Sequence, residues 1–254
     1  YLDFLLEDAK SRIETLGSEN IACFIAEPIQ GAGGLIVPPD GYHVRMGELC
    51  KDYDIKYITD EVVTAFGRLG HFFASKDVFG VQPDIITTAK GLTSGYQPLS
   101  ATIISDEIHE VISGEGSMFL HGMTYSGHPA ASAAALANIA LMERESIPQR
   151  VQKTGKYFEN SLHQLSDLEL VGEVRGSHFM MGIEFVKEKI NKTPFEPEDK
   201  IGIKIARAAQ RRGLIVRPLG NIAILSPTLI MDEDMIDDVV NIMSKSIKEV
   251  QSEL

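Results

Sequence analysis

The sequence predicts an α/β fold, a mostly parallel sheet with flanking helices followed by a smaller carboxyl-terminal α+β domain. Three observations carry that expectation. Short apolar runs rich in β-branched residues alternate with stretches of helical periodicity. Each early run ends in polar or glycine residues, as the strands of a parallel sheet do where their chemistry sits. Near Pro148 the composition shifts to amphipathic helices and short strands, so the expected division is residues 1–147 and 148–254.

Residues 3–17 read as an amphipathic helix, because Leu2, Leu5, Leu6, Ala9, Ile13 and Leu16 fall at helical spacing. Ile21 to Ala26 is a short buried strand stopped by Glu27-Pro28, and Gln30-Gly31-Ala32-Gly33-Gly34 is a flexible loop. Asp40 is expected to cap a helix running to about Tyr53. Further strands are expected at Lys56 to Thr59, ending at Asp60, at Asp84 to Thr88 and at Ser100 to Ser105. Pro129 to Met142 is an alanine-rich helix whose small residues permit close contact and equally favour helix for its own sake. Beyond it, helices near 149–165, 198–212 and 232–251 alternate with strands near 168–174, 179–186, 214–217 and 222–225.

With 254 residues, 44% hydrophobic and 24% charged, the chain has globular proportions. Its formal charge of -12 repels phosphates, so neither nucleic acid nor an anionic membrane is expected as a partner. The densest basic cluster, Arg207, Arg211 and Arg212, reads as a solvated helix face. Cys23 and Cys50 show neither CxxC nor metal-ligand spacing, which fits a reducing cytoplasm and implies no metal. No stretch approaches the ~20 apolar residues of a membrane span, and Tyr1-Leu2-Asp3-Phe4 lacks the features of a signal peptide. That start resembles entry into a helix in mid-domain, so residues are expected upstream.

The chemistry concentrates on two positions. Lys90 ends the run Asp84-Ile85-Ile86-Thr87-Thr88-Ala89 and is followed by Gly91. An amine where a buried strand meets a loop is expected to be partly desolvated, which favours the free base that condenses with an aldehyde. Lys90 is therefore the candidate Schiff-base lysine. Asp60 also ends a buried strand and needs a partner there. That partner is either a cation or amide within the chain, or a protonated pyridine nitrogen whose charge makes the ring an electron sink. If the strand persists, Val62 lies on the same side as Asp60 and could press on the ring face. Gly31-Ala32-Gly33-Gly34 lacks the order of a dinucleotide fingerprint, and His121 and His128 have no partners that complete a metal set.

Five collinear segments resemble the class III aminotransferases: Glu27-Pro28-Ile29-Gln30-Gly31-Ala32-Gly33-Gly34; Thr59-Asp60-Glu61-Val62 with Phe66-Gly67-Arg68; Thr88-Ala89-Lys90-Gly91-Leu92; His121-Gly122-Met123-Thr124-Tyr125-Ser126-Gly127-His128-Pro129; and Gly213-Leu214-Ile215-Val216-Arg217-Pro218. The resemblance implies pyridoxal 5′-phosphate as cofactor, the type I fold of such enzymes, and a homodimer with shared active sites. The two expected domains would be the carboxyl-terminal part of the large cofactor-binding domain and a small carboxyl-terminal domain. By the same resemblance Lys90 would carry the cofactor, Asp60 would bind its pyridine nitrogen, Val62 would pack on the ring and Glu27 would support the pocket near Asp60. Thr124 would hold the phosphate of the neighbouring subunit's cofactor, with Gly122 and Met123 beside it.

Ornithine, acetylornithine and GABA members carry a glutamate where Ala32 stands and an arginine where Ile224 stands. Their absence, with Arg217 before Pro218, is more similar to the branch that handles ω-amino acids, amines and pyruvate, in which Arg217 would bind a substrate carboxylate; an interdomain salt bridge is the other reading of this arginine. Family members are usually longer, and the glycine-rich phosphate loop and ring-stacking aromatic expected upstream are not in this sequence; the expectation is the carboxyl-terminal portion of a longer subunit rather than a truncated relative, whose remaining sheet would expose raw edges. The implied activity moves an amino group from an ω-amino acid or amine to a keto acid such as pyruvate. Alternatives are an aminomutase or racemase of the same fold, or a catalytically silent relative serving as an interaction protein.

Overall fold

The computed structural model describes residues 1–254, which contacts divide into two compact units. The first comprises residues 1–28, 38–67 and 71–146; the second comprises 29–37, 68–70 and 147–254. A boundary drawn at one point of the sequence does not express the two short excursions. Local bonds explain them: Arg175 donates to the carbonyls of Gly34 and Leu35, and Arg68 donates to those of Phe179 and Pro227.

In the first unit, α1 (Leu2–Leu16) lays Leu6 and Ile13 against Met46 and Cys50 of α2 (Tyr42–Asp52), with Ile55, Tyr57 and Val81 completing the cluster. Asp40 does not cap α2. Gly41 occupies the N-cap at φ 79, a left-handed conformation that glycine adopts without a Cβ clash, and no side chain caps the helix. The strands are β1 (Cys23–Ala26), β2 (Lys56–Asp60), β3 (Ile85–Thr88) and β4 (Ala101–Ile104), paired in that order. β1, β2 and β3 are parallel and β4 is antiparallel to β3, since no crossover helix lies between β3 and β4 to restore direction.

A short α3 (Ala74–Asp77) lies between β2 and β3. After β4 comes a helix the periodicity did not reveal, α4 (Asp106–Ser113). Ser105, expected as strand, is its cap and accepts from the Ile108 amide at 3.4 Å. The alanine-rich α5 (Pro129–Arg144) begins on proline, whose missing N–H costs nothing in a first turn.

The second unit contains α6 (Ile147–His163), β5 (Val171–Ser177), β6 (Met180–Glu188), β7 (Thr193–Pro194), α7 (Ile201–Gln210), β8 (Arg217–Leu219), β9 (Ile222–Leu225) and α8 (Glu233–Ser252). Its sheet is antiparallel in the order β5-β6-β9-β8, with β7 on β6. β6 is buried on both faces from Met180 to Ile183, which makes it the centre of a core that includes Phe158, Phe179, Ile201, Ile205, Met243 and Ile247. Residues 214–216 are not strand as expected. The Leu214 amide bonds the Ala209 carbonyl and the Gly213 amide bonds that of Gln210, so Gly213 and Leu214 belong to the cap of α7, Ile215 is exposed, and the strand begins at Arg217. The glycine loop is also less free than expected, because Gln30 bridges Ile36 and Arg175 grips the carbonyls of Gly34 and of Leu35 just after it. Arg211 and Arg212 are not simply solvated; both pair with Glu249 of α8. No helix is long and apolar enough to cross a membrane.

Candidate active site

The parallel ladder brings the two chemical positions together. Asp60 ends β2 in register with Thr87 of β3, and Lys90 follows Thr87 by three residues. A rise of about 3.3 Å per residue and a strand spacing of about 4.8 Å separate the two Cα atoms by no more than roughly 11 Å. Both side chains therefore leave the carboxyl ends of adjacent strands, where an open α/β sheet collects its functional groups.

Lys90 stands at φ 38, a conformation few non-glycine residues adopt, and opens a 3-10 turn over Lys90–Thr93. Strain of this kind persists only where its surroundings hold it. One restraint is visible at Gly91, where a Cβ would lie 2.9 Å from Cβ of Phe66. The expected partial burial of Lys90 is not found: its side chain is exposed and makes no ion pair or hydrogen bond with other residues of the chain. This chain's own residues do not supply the desolvation that the sequence suggested.

Asp60 is half-buried, and its Oδ1 accepts from the Val62 amide at 3.0 Å. It thus has the amide-capping role left open by the sequence, while no lysine, arginine or histidine pairs with it. The strand does not persist to Val62, which sits half-buried in a turn, so this bond rather than strand alternation places it. Glu27 follows Ala26, the register partner of Thr59, and so comes one residue beyond β1 beside the end of β2. Gly122, Met123 and Thr124 lie in an exposed segment without regular structure, and none hydrogen-bonds Asp60 or Lys90. Arg217 belongs to the second unit, where it is exposed at the start of β8 and is the register partner of Ile224.

Sequence reasoning assigned nothing to Glu61, yet its side chain is completely buried. Oε2 accepts from the Ala74 amide at 2.7 Å and the Thr64 hydroxyl at 3.2 Å. Oε1 accepts from the amide and hydroxyl of Ser75 at 2.8 and 2.6 Å. Its own amide donates to the Thr87 carbonyl at 2.8 Å, so one residue ties the end of β2 to the end of β3 and to the first turn of α3. A second carboxylate between the strand that ends at Asp60 and the mostly apolar run from Val62 to Phe66 was the available signal.

Behind the sheet, His43 Nε2 meets the Pro28 carbonyl at 3.0 Å and Nδ1 meets the Tyr57 hydroxyl at 2.7 Å. A carbonyl can only accept, so Nε2 carries the proton and Nδ1 accepts from Tyr57. Burial lowers the pKa of His43 and raises those of Tyr57 and, to about 11, Cys50. In the second unit, burial pulls the Arg68 guanidinium down to about 10, and its two carbonyl partners supply no compensating charge.

The family model described as "Aminotransferase class-III" matches residues 3–247. The chain belongs to the class III aminotransferases. It is 43% identical to the putrescine–pyruvate aminotransferase of Pseudomonas aeruginosa over 95% of this chain and 52% of that protein. It is 40% identical to the mitochondrial gamma-aminobutyrate transaminase 1 of Oryza sativa subsp. indica over 91% of this chain and 45% of that protein. An amine transaminase from an uncultivated Pseudomonas species, solved in its PLP-bound (internal aldimine) form, superposes with a TM-score of 0.93 at 40% identity, covering 98% of this chain and 56% of that one. The chain thus spans about half the length of these relatives.

Class III aminotransferases are pyridoxal-phosphate dependent, and the residues of the first unit fit that group. An unpaired lysine amine and a carboxylate without a cationic partner stand on adjacent strand ends. One side chain suits the carbonyl of a pyridoxal ring and the other its ring nitrogen.

Proposed function

We propose that this class III aminotransferase moves an amino group from an ω-amino acid or amine to a keto acid such as pyruvate, with pyridoxal phosphate held on Lys90. The observation that carries the reading is the register of Asp60 with Thr87, which sets the carboxylate beside the strand that delivers Lys90. When bound, the cofactor supplies a carbonyl for the amine and an electron-accepting ring. Asp60 keeps the ring nitrogen protonated through a charge-assisted bond while its other oxygen stays anchored to the Val62 amide. Val62 packs on the ring and Glu27 supports Asp60 from the neighbouring strand end. Lys90 would hold the cofactor's carbonyl and, when its amine is free, would serve as the base that moves a proton at the substrate's amine-bearing carbon.

Thr124, with Gly122 and Met123 beside it, contacts the cofactor phosphate of a second subunit. The exposed apolar side chains of Met118, Phe119, Leu120, Met123 and Tyr125 support a homodimer, because several large apolar side chains exposed in one segment are a common interaction surface. Arg217 binds the carboxylate of the keto acid; it is exposed, and the position where other branches carry an arginine, Ile224, lies directly across from it. A cytoplasmic setting fits two free thiols. Nothing in the relatives favours an aminomutase, a racemase or a silent interaction protein.

Replacing Lys90 with Ala in the complete subunit should abolish transfer between an amine donor and pyruvate and remove the borohydride-reducible adduct. Near wild-type transfer in that variant refutes the assignment. Arg217→Ala should raise KM for pyruvate more than KM for a donor lacking a carboxylate; equal changes assign Arg217 to structure instead.

A further inference from the structure

The geometry points to Asn138 as a positioning residue that holds the turn bearing Lys90; this rests on the role proposed for Lys90. The stripe of α5 turned inward is Ala131, Ala135, Asn138 and Met142, spaced as one helical face. An asparagine among small and apolar residues on such a face needs hydrogen-bond partners. Apart from a 3.6 Å contact of Nδ2 with the Met142 sulfur in the same helix, it finds them in one place. Asn138 Nδ2 donates to the carbonyls of Gly91 at 2.9 Å and Leu92 at 3.1 Å, and Oδ1 accepts from the Ser94 hydroxyl at 2.7 Å. A reversed amide would set Oδ1 against two carbonyls, so the orientation is fixed by the partners.

These three contacts span the residues immediately after Lys90. The segment is strained at both ends, with Lys90 at φ 38 and Ser94 at φ 50, and a four-residue 3-10 turn has little internal bonding to resist relaxation. Asn138 supplies that resistance from a long helix. By fixing the peptide planes after Gly91 and Leu92, it fixes the direction in which Lys90 leaves β3. The residue touches no reacting atom and acts only through the lysine.

The test compares wild type, Asn138→Ala, Asn138→Asp and Ser94→Ala in the complete subunit. Hydrogen exchange without cofactor reads the turn directly, because the amides of Leu92, Ser94 and Gly95 bond within it. Asn138→Ala should speed exchange over residues 90–96 at least tenfold while β1 and β2 keep their protection, and should slow formation of the borohydride-reducible adduct with pyridoxal phosphate at least tenfold. Asn138→Asp fills the same space but cannot donate to two carbonyls, so it should behave like the alanine variant. Ser94→Ala removes one contact and should give a smaller change of the same sign, which keeps the test decisive if Asn138→Ala does not fold. Exchange within twofold of wild type in the Asn138→Asp and Ser94→Ala variants overturns the inference. If wild type forms no adduct at Lys90, the role of Lys90 falls instead, and the exchange data still decide whether Asn138 holds the turn.

Discussion

Removing the Glu61 carboxylate should destabilise the first unit more than removing any surface charge. Glu61 is fully buried and accepts from two amides, Ala74 and Ser75, and two hydroxyls, Ser75 and Thr64. The hydroxyls can rotate toward other acceptors, whereas the amides are fixed by the backbone. In Glu61→Gln the carboxamide oxygen serves one side and its NH2 faces the other. One amide is then left without an acceptor, at a cost of about 1–3 kcal/mol. The neutral side chain is cheaper to bury, which offsets part of this, so about 2 kcal/mol is expected for Gln. Glu61→Ala strands both amides and opens a cavity, for about 4 kcal/mol or more. The sequence contains no tryptophan, so urea unfolding is followed by far-UV circular dichroism and tyrosine fluorescence. An alanine variant within 1 kcal/mol of wild type, or a glutamine variant less stable than the alanine one, refutes the argument.

The Thr59 hydroxyl is fully buried without a hydrogen-bond partner, so Thr59→Val should stabilise the protein by about 1 kcal/mol; a lower melting temperature contradicts this. His43 predicts an acid-sensitive stability. Its neighbours are the Tyr57 hydroxyl, the Pro28 carbonyl and the rings of Tyr42 and Phe79, none of them anionic, and burial lowers its pKa. The unfolded chain therefore binds a proton more readily, and this contribution to stability is complete above about pH 6.5 and is lost as pH falls toward the depressed folded value. His43→Gln should flatten the change in unfolding free energy between pH 7 and 5, and an unaltered slope would assign the dependence to other groups.

How far the sequence could be read depended on whether a role was local. Lys90 and Asp60 stood out as candidates because Asp60 ends an apolar strand and Lys90 comes two residues after another, and a charged group at such a place is chemically conspicuous. The cap of α8 is a local contact of the same kind, although the sequence reading did not name it: Asp232 accepts from the Met235 amide at 3.0 Å, three residues on. Glu61, Asn138, Arg68 and Arg175 were not visible, because each has backbone partners contributed by other segments. Asn138 lies more than forty residues from the Gly91 and Leu92 carbonyls it holds, and Arg68 more than a hundred from those of Phe179 and Pro227. No side-chain pattern marks a carbonyl that needs a donor. The same limit explains the failed start of the strand at 214–216, where an apolar run satisfied strand composition but the Leu214 amide was already committed to ending α7. Burial of Lys90 failed for a related reason: strand termination is written in the chain, but desolvation depends on what covers the strand end, and in this chain nothing does. If the covering groups come from beyond these residues, Lys90 should react with pyridoxal phosphate more slowly in the isolated 254-residue chain than in the complete subunit. Equal rates would mean that the turn held by Asn138 already supplies all the activation the amine needs.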